Sequence, residues 1–283
     1  MTEPRKPIDR ERIEDWLTAA YAIAVLVFLV APLVVIVPLS FNAEPYFTFT
    51  SEMLSLNPDG FSLRWYADIV NNPQWLEAIG NSLVIAIAAT MLATVLGTLA
   101  AIGLARSNMP FRDFIMALLI SPLVVPIVIA AAGMYFFYSS VGLAQTHLGI
   151  ILAHTALGTP FVVITMTATL SGFDRNLVKA ASSLGADPLT AFFRVTLPIV
   201  APGMISGALF AFAASFDDVV TVLFLGGPDQ RTIPRQMWSG IREQISLTIL
   251  AVATLLIIFS SLLLLAVEML RRWHTPPAKQ AGQ

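Results

Sequence analysis

The chain has 283 residues, of which 57% are hydrophobic and 12% charged, with no cysteine and a formal net charge of −2. Mean hydropathy is +0.77; a soluble domain carries about a quarter charged residues and under half apolar ones, so this is the composition of a bilayer protein. It excludes a disordered tail, a disulfide scaffold and a nucleic-acid binder, and the missing thiols exclude cysteine catalysis, Cys-ligated zinc and iron–sulfur clusters.

A helix needs about 20 apolar residues to cross the hydrocarbon. Apolar stretches with few or no Asp, Glu, Lys and Arg predict six such helices, at roughly 17–41, 79–105, 113–138, 147–170, 200–225 and 246–270, the fifth interrupted by two aspartates. The first follows 16 residues of mixed charge without a convincing small-x-small site after it, and reads as an uncleaved helix rather than a signal peptide. The run from Ser139 to His147 supplies the turn between the third and fourth spans, and Pro122, Pro126 and Pro160 are expected to kink helices and make room for a path. The expected organisation is a cytoplasmic segment at 1–16, a transmembrane domain at 17–271 and a cytoplasmic tail at 272–283.

Lys and Arg set the orientation. With the N-terminus inside, the inner segments hold Arg5, Lys6, Arg10, Arg12, Arg106, Arg112, Arg175, Lys179, Arg194, Arg271, Arg272 and Lys279. The outer segments hold Arg64, Arg231, Arg235 and Arg242. Both termini are therefore expected to be cytoplasmic. The outer loop 226–245 carries three of the four outer cations, for which contact with a partner is one reason.

The inner segment 171–199 has unusual chemistry. Asn176 to Leu184 suits a short helix stopped by Gly185. Asp187-Pro188 is an N-cap followed by Pro at the first helical position, predicting a second short helix from Pro188 to about Val195. It carries Leu189, Phe192 and Phe193, and Pro198 and Pro202 are expected to break it and open the next span. Two readings stand: a hairpin packed on its own bundle, or a surface that docks into another protein.

Asp217 and Asp218 sit within an apolar stretch, where one carboxylate costs roughly 2.5–3.5 kcal/mol on insertion scales. Fourteen residues past Gly203, at about 1.5 Å each, they lie beyond the midplane toward the outer side. Gly203, Gly207, Ala211, Ala214 and Asp218 form a small-residue stripe suited to close helix approach, which makes Asp218 the better candidate for a structural carboxylate, while both aspartates stand as candidate pathway residues. Asp217 follows Phe210 and Ala213 and is the candidate that looks into a path. Phe212 and Phe216 lie one turn apart beside it, and a carboxylate with aromatic faces suits an organic ammonium. The competing reading pairs the aspartates with Arg231, Arg235 or Arg242. Trp238, Tyr135 and Tyr138 either add to the site or anchor at the interface. His147 and His154 read as hydrogen-bonded structure, Ser182 and Ser183 lack a His–Asp arrangement, and no phosphate-binding G-x-x-x-x-G-K-[ST] loop occurs.

Ala180-Ala181, Gly185 and Leu197-Pro198, with Val195 at the usual Ile, resemble the EAA signature of bacterial ABC importer permeases; Lys179 stands at the Glu position. Phe61-Ser62-Leu63-Arg64-Trp65-Tyr66, then Asn81-Ser82-Leu83 to Gly97 and Ala100-Ala101, resemble the start of that family's core. Ser215-Phe216-Asp217-Asp218, Phe224-Leu225-Gly226-Gly227-Pro228, Ile233-Pro234 and Met237-Trp238 are similar to its spermidine/putrescine (PotC-like) branch. The resemblance covers most of residues 61–270. It implies an all-α, six-transmembrane-helix bundle of the type I ABC importer permease kind, with short cytoplasmic coupling helices, in a bacterial inner membrane.

The resemblance further implies a non-catalytic subunit forming half of the pathway for a small organic cation such as spermidine or putrescine. The implied partners are a second homologous permease chain, two ATP-binding-cassette ATPase subunits and a periplasmic substrate-binding protein. ATP and Mg belong to the ATPase subunits, and no cofactor to this chain. Lys179, Ala180, Ala181, Gly185, Ala186, Asp187, Pro188, Leu189, Phe192, Phe193, Leu197 and Pro198 are the implied ATPase-coupling residues, and the reversed charge at Lys179 is expected to bear on partner choice. Within the family the alternative cargo is an amino-organophosphonate, an oxyanion or ferric ion. Outside it, an ion-driven secondary transporter would show midplane ion-site carboxylates and inverted repeats, and a membrane enzyme would need clustered His, Asp or Glu at a bilayer face.

Overall fold

The computed structural model describes residues 10–105, 109–243 and 245–274. Arg5, Lys6, Arg106, Lys279 and residues 275–283 of the expected tail lie outside the described residues. In chain order the α-helices are α1 (Arg10–Leu39), α2 (Ser51–Leu54), α3 (Arg64–Asn71), α4 (Pro73–Leu104), α5 (Arg112–Val124), α6 (Ile127–Ser140), α7 (His147–Ser171), α8 (Asn176–Ser183), α9 (Pro188–Ala191), α10 (Leu197–Phe216), α11 (Val220–Leu225), α12 (Ile233–Glu243) and α13 (Thr248–His274). Among the described residues, five helical stretches are long and apolar enough to cross a membrane, and a sixth span results if α5 and α6 count as one.

The helix starts follow local chemistry. Asn72 accepts from the Gln74 N–H ahead of Pro73, and Thr146 Oγ1 accepts from the Gly149 N–H at 3.0 Å. Gly142, at φ +74°, turns the chain between α6 and α7, as the polar run there predicts.

Two compact units divide the chain, one holding residues 1–71 and 244–258, the other 72–243 and 259–283. In the smaller unit, α1 is almost wholly exposed over its apolar stretch. Beyond it, buried Asn42 organises the turn: its Nδ2 donates to the Tyr46 and Thr48 carbonyls at 2.9 and 3.0 Å. The Asn42 carbonyl accepts from Trp65 Nε1 at 2.8 Å. Tyr66 stacks on Phe41 and shares a 2.7 Å hydrogen bond with Ser40. Thr248 Oγ1 donates to Asp68 Oδ2 at 2.8 Å, fastening the start of α13 to α3.

The larger unit is built on α4, α7 and α10. Their shared core holds Ala93, Ala101, Val162, Met166, Val200 and Ala211. Lipid tails are as apolar as leucine, so close backbone packing rather than the hydrophobic effect holds such helices together. The stripe on α10 does this: a β-carbon at Gly207 would lie 2.8 Å from Val162 Cα, and one at Gly203 would run into Thr169. Ala211 packs against Gly158. A second core joins Ile85, Tyr138, Ile150, Ala153, Val222 and Leu225.

Three expectations are corrected. The third span is not one helix: α5 and α6 meet at 103°. The bend falls at Val125–Pro126, where Pro forces its predecessor into extended backbone, with Val125 at ψ 131°. The 200–225 span is also interrupted, with α10 ending at Phe216 and α11 starting at Val220. The stripe therefore ends before Asp218, which is not in a helix. Finally, Pro198 and Pro202 do not break the chain, because Pro188–Phe216 runs as one 29-residue helical stretch. A wide π turn at Phe192–Thr196 makes this possible. Leu197 N–H bonds to the Phe192 carbonyl, five residues back, so the turn opens where the Pro198 ring would meet the Arg194 carbonyl.

Candidate functional site

A cavity of about 520 Å³ sits beside the gap between α10 and α11. It is lined by Ile127, Phe161, Phe210, Ala213, Ala214, Asp217, Asp218, Val219 and Val220. Asp217 is the C-cap of α10, is exposed, and brings an accessible carboxylate to the lining. Phe210 and Ala213 precede it by seven and four residues, which places them on the same helix face. The second aromatic comes from α7: Phe161 stacks on Phe210 with centroids 6.4 Å apart and rings inclined by 23°.

Asp218 also borders the cavity, but the residue is buried and its carboxylate has partners on α7 and α11. Its Oδ1 accepts from the Thr221 N–H at 3.1 Å and so caps α11. Its Oδ2 lies 3.4 Å from His154 Nε2 on α7. His154 Nδ1 in turn shares a 2.7 Å hydrogen bond with Ser215 Oγ. The competing reading, which pairs the aspartates with Arg231, Arg235 or Arg242, does not describe Asp218, whose partner is His154. The arginines of the loop 226–245 have their own geometry. Arg235 Nη1 donates to the Gly227 carbonyl at 2.6 Å, and Arg231 Nη1 to Gln236 Oε1 at 3.4 Å. Burial and the neighbouring Arg231 charge pull the Arg235 pKa down from its ordinary value.

The other expected pathway residues lie elsewhere. Phe212 and Phe216 stack on each other at 5.5 Å and both meet Phe259 of α13, at 6.2 and 5.1 Å. Tyr138 is buried in the second core, Tyr135 meets Phe136 edge-on, and Trp238 is exposed on α12. None of these five lines the cavity. Phe161, Ile127, His154 and Ser215 were not read as site residues from sequence, and the His154 partner of Asp218 was not foreseen. Phe210 shares the period of Asp217; Phe161 and His154 lie on another helix, and no local pattern joins them to it.

The loop 226–245 is tied onto α4, and α4 in turn to the start of α7. Asn81 Nδ2 donates to the carbonyls of Asp229 and Arg231 at 2.8 and 2.9 Å, and Asn81 Oδ1 meets His147 Nε2 at 2.9 Å. Ser82 Oγ accepts from the Ile233 N–H at 2.8 Å.

At the other candidate surface, α8 ends at Ser183 and Gly185 follows at φ +86°, a conformation that favours glycine. Asp187 Oδ2 then accepts from the Leu189 N–H at 3.2 Å, with Pro188 opening α9. Hydrogen bonding by the Thr190 side chain, and by backbone N–H groups, holds the exposed Asp187 carboxyl below the usual carboxylate range. Lys179, Ala180, Gly185, Asp187, Pro188, Leu189, Phe193 and Pro198 are exposed. Ala181, Ala186, Phe192 and Leu197 are half-buried, and Phe192 meets Phe193 edge-on at 5.1 Å.

Residues 93–276 match the family described as binding-protein-dependent transport system inner membrane component. The chain is 30% identical over 257 residues to the spermidine/putrescine transport system permease protein PotC of Haemophilus influenzae, covering 91% of this chain and 97% of that protein. It is 35% identical over 238 residues to the putrescine transport system permease protein PotI of Escherichia coli K12, covering 81% and 82%. The fold is similar to that of a chain in a bacterial ABC transporter for import of the acidic polysaccharide alginate, with TM-score 0.70, 13% identity, and coverage of 96% of this chain and 100% of that one. The chain belongs to the family of binding-protein-dependent inner membrane transport components: it is a multi-pass, non-catalytic permease subunit of an ATP-binding-cassette importer.

Proposed function

We propose that this permease carries a small organic polycation of the putrescine or spermidine kind. The observation that supports this most is the cavity itself: an accessible Asp217 carboxylate faces it together with the stacked Phe161–Phe210 pair. A primary ammonium gains from both, by charge pairing and by attraction to the ring faces. The accessible charged group of the lining is the Asp217 carboxylate and the lining holds no Lys or Arg, a poor match for an oxyanion or a phosphonate, which calls for cations or N–H donors. Relatives named for spermidine and putrescine transport agree with this reading.

In this proposal the chain works with a second homologous permease, two ATPase subunits that hold ATP and Mg, and a periplasmic binding protein. Both termini and the segment 171–199 face the cytoplasm. Leu184, Leu189 and Phe193, exposed by 90, 68 and 60%, supply the apolar surface that enters the ATPase. Closure of the ATPase pair moves α8 and α9, and because Pro188–Phe216 is one helical stretch, the displacement reaches Asp217 without an intervening loop. Two states of the pathway are thereby biased from the inner surface.

The test is ATP-driven uptake of labelled putrescine by the assembled transporter in proteoliposomes, with unlabelled spermidine, molybdate, 2-aminoethylphosphonate and ferric citrate as competitors. Spermidine alone is expected to compete. Competition by an anion but not by spermidine would overturn the proposal.

A further inference from the structure

We propose that His154 is a positioning residue of the transport pathway: from α7 it keeps the Asp218 carboxylate buried at the cavity wall and thereby leaves the accessible Asp217 carboxylate to face the cavity. The inference rests on the reading of Asp217 as the substrate carboxylate and adds the residues that set its direction.

Asp217 and Asp218 are adjacent in the non-helical stretch between α10 and α11, so a rotation of this backbone exchanges which carboxylate meets the cavity. Something must choose between them. Asp218 is 8% exposed and His154 2%. A carboxylate only accepts, so the imidazole proton that joins them sits on Nε2, and Nδ1 accepts from the Ser215 hydroxyl. Neither His154 Nε2 nor Asp218 Oδ2 has a hydrogen-bond partner among the described residues, which leaves the two atoms to each other across 3.4 Å. The other carboxylate oxygen caps α11 through Thr221 N–H. One side chain of α7 thus fixes the end of α10 through Ser215 and the start of α11 through Asp218. Without Nε2, Asp218 Oδ2 is left as a buried acceptor with no donor, although Oδ1 keeps the Thr221 N–H, and an orphaned buried acceptor is a costly state. It is relieved by turning Asp218 to the water of the cavity, which takes residue 217 out of it.

The experiment uses the assembled transporter and two readouts. Gln at position 154 can place a donor near the Nε2 position, Asn can reach only the Ser215 side, and Leu fills the space without polarity. Uptake of putrescine at low concentration is expected to fall about tenfold in His154→Leu and His154→Asn, the loss expected when a buried acceptor is orphaned, and to be largely restored in His154→Gln. A packing role alone would favour Leu over Gln. On an Asp217→Asn background His154→Leu is expected to add little, whereas an undiminished second loss would overturn the positioning role. The second readout needs no substrate. The chain has no cysteine, so Asp217→Cys reports its own accessibility to a charged methanethiosulfonate. Labelling is expected to slow several-fold with His154→Leu and to recover with His154→Gln. Unchanged labelling in correctly assembled protein would overturn the proposal. Changed labelling with uptake indifferent to Asp217→Asn would keep the positioning of residue 217 and discard the substrate reading alone.

Discussion

Gly207→Ala measures how much the contact between α10 and α7 depends on the missing side chain. The added β-carbon would lie 2.8 Å from Val162 Cα, where ordinary contacts begin at 3.4 Å, and it would also meet Thr165 Oγ1. The obstruction is backbone, so no rotamer change relieves it. The helices must separate by at least 0.6 Å along a core that includes Val162, Met166 and Ala211. Overpacking of this kind costs about 1–3 kcal/mol, against a gain of about 1 kcal/mol from the better helix propensity of Ala. Gly80→Ala is the matched control, since a β-carbon there meets nothing within 4 Å. The melting temperatures of the two variants, read in detergent by loss of the monodisperse peak, then differ by the overpacking alone. At about 2–4 °C per kcal/mol this is several degrees, with Gly207→Ala the lower. Equal melting of the two variants would refute the close-approach account of the α4–α7–α10 core.

Gly185→Ala forces a β-carbon into left-handed backbone at a cost of about 1–2 kcal/mol, although nothing crowds the site. It is expected to weaken copurification of the ATPase subunits, with Gly185→Asn retaining more of it. Asp187 has a folded pKa below its ordinary 3.8. Its cap on α9 is therefore fully present above that ordinary value and is lost only as pH falls through the lower, folded one. ATPase binding is expected to be insensitive to this group from neutral pH down to about 5, and Asp187→Ala to weaken it throughout, as co-elution titrations would show. Ser82→Ala removes the acceptor of the Ile233 N–H, so that amide is expected to exchange about tenfold faster in hydrogen–deuterium exchange, while Gly149, capped by Thr146, does not change.

The spans were legible because each is a long apolar run, and the turn at Gly142 and the stop at Gly185 because a small residue stood where positive φ was needed. The stripe Gly203, Gly207 and Ala211 was legible from helical period, and its contact with α7 follows it. What periodicity missed are events that depend on a second element. The gap after Phe216 is stabilised by His154, 64 residues back in the chain, and nothing near Asp218 names that partner. Phe161 joins Phe210 only because α7 and α10 pack side by side. The aromatic pair nearest Asp217 in sequence, Phe212 and Phe216, instead faces Phe259. Proline was read as a breaker at 198, but one extra residue in the turn before it absorbs the missing N–H. At Pro126 no such turn forms and the chain bends by 103°.

The substrate reading comes down to the charge at position 217. Concentration-dependent, ATP-driven putrescine uptake should be compared for the unaltered transporter, Asp217→Asn and Asp217→Glu, each reconstituted with its partner subunits. Loss of a charge-assisted contact to an ammonium predicts a KM about tenfold higher or more for Asp217→Asn, with ATPase assembly intact and Asp217→Glu closer to the unaltered protein. An unchanged KM in Asp217→Asn would contradict the account.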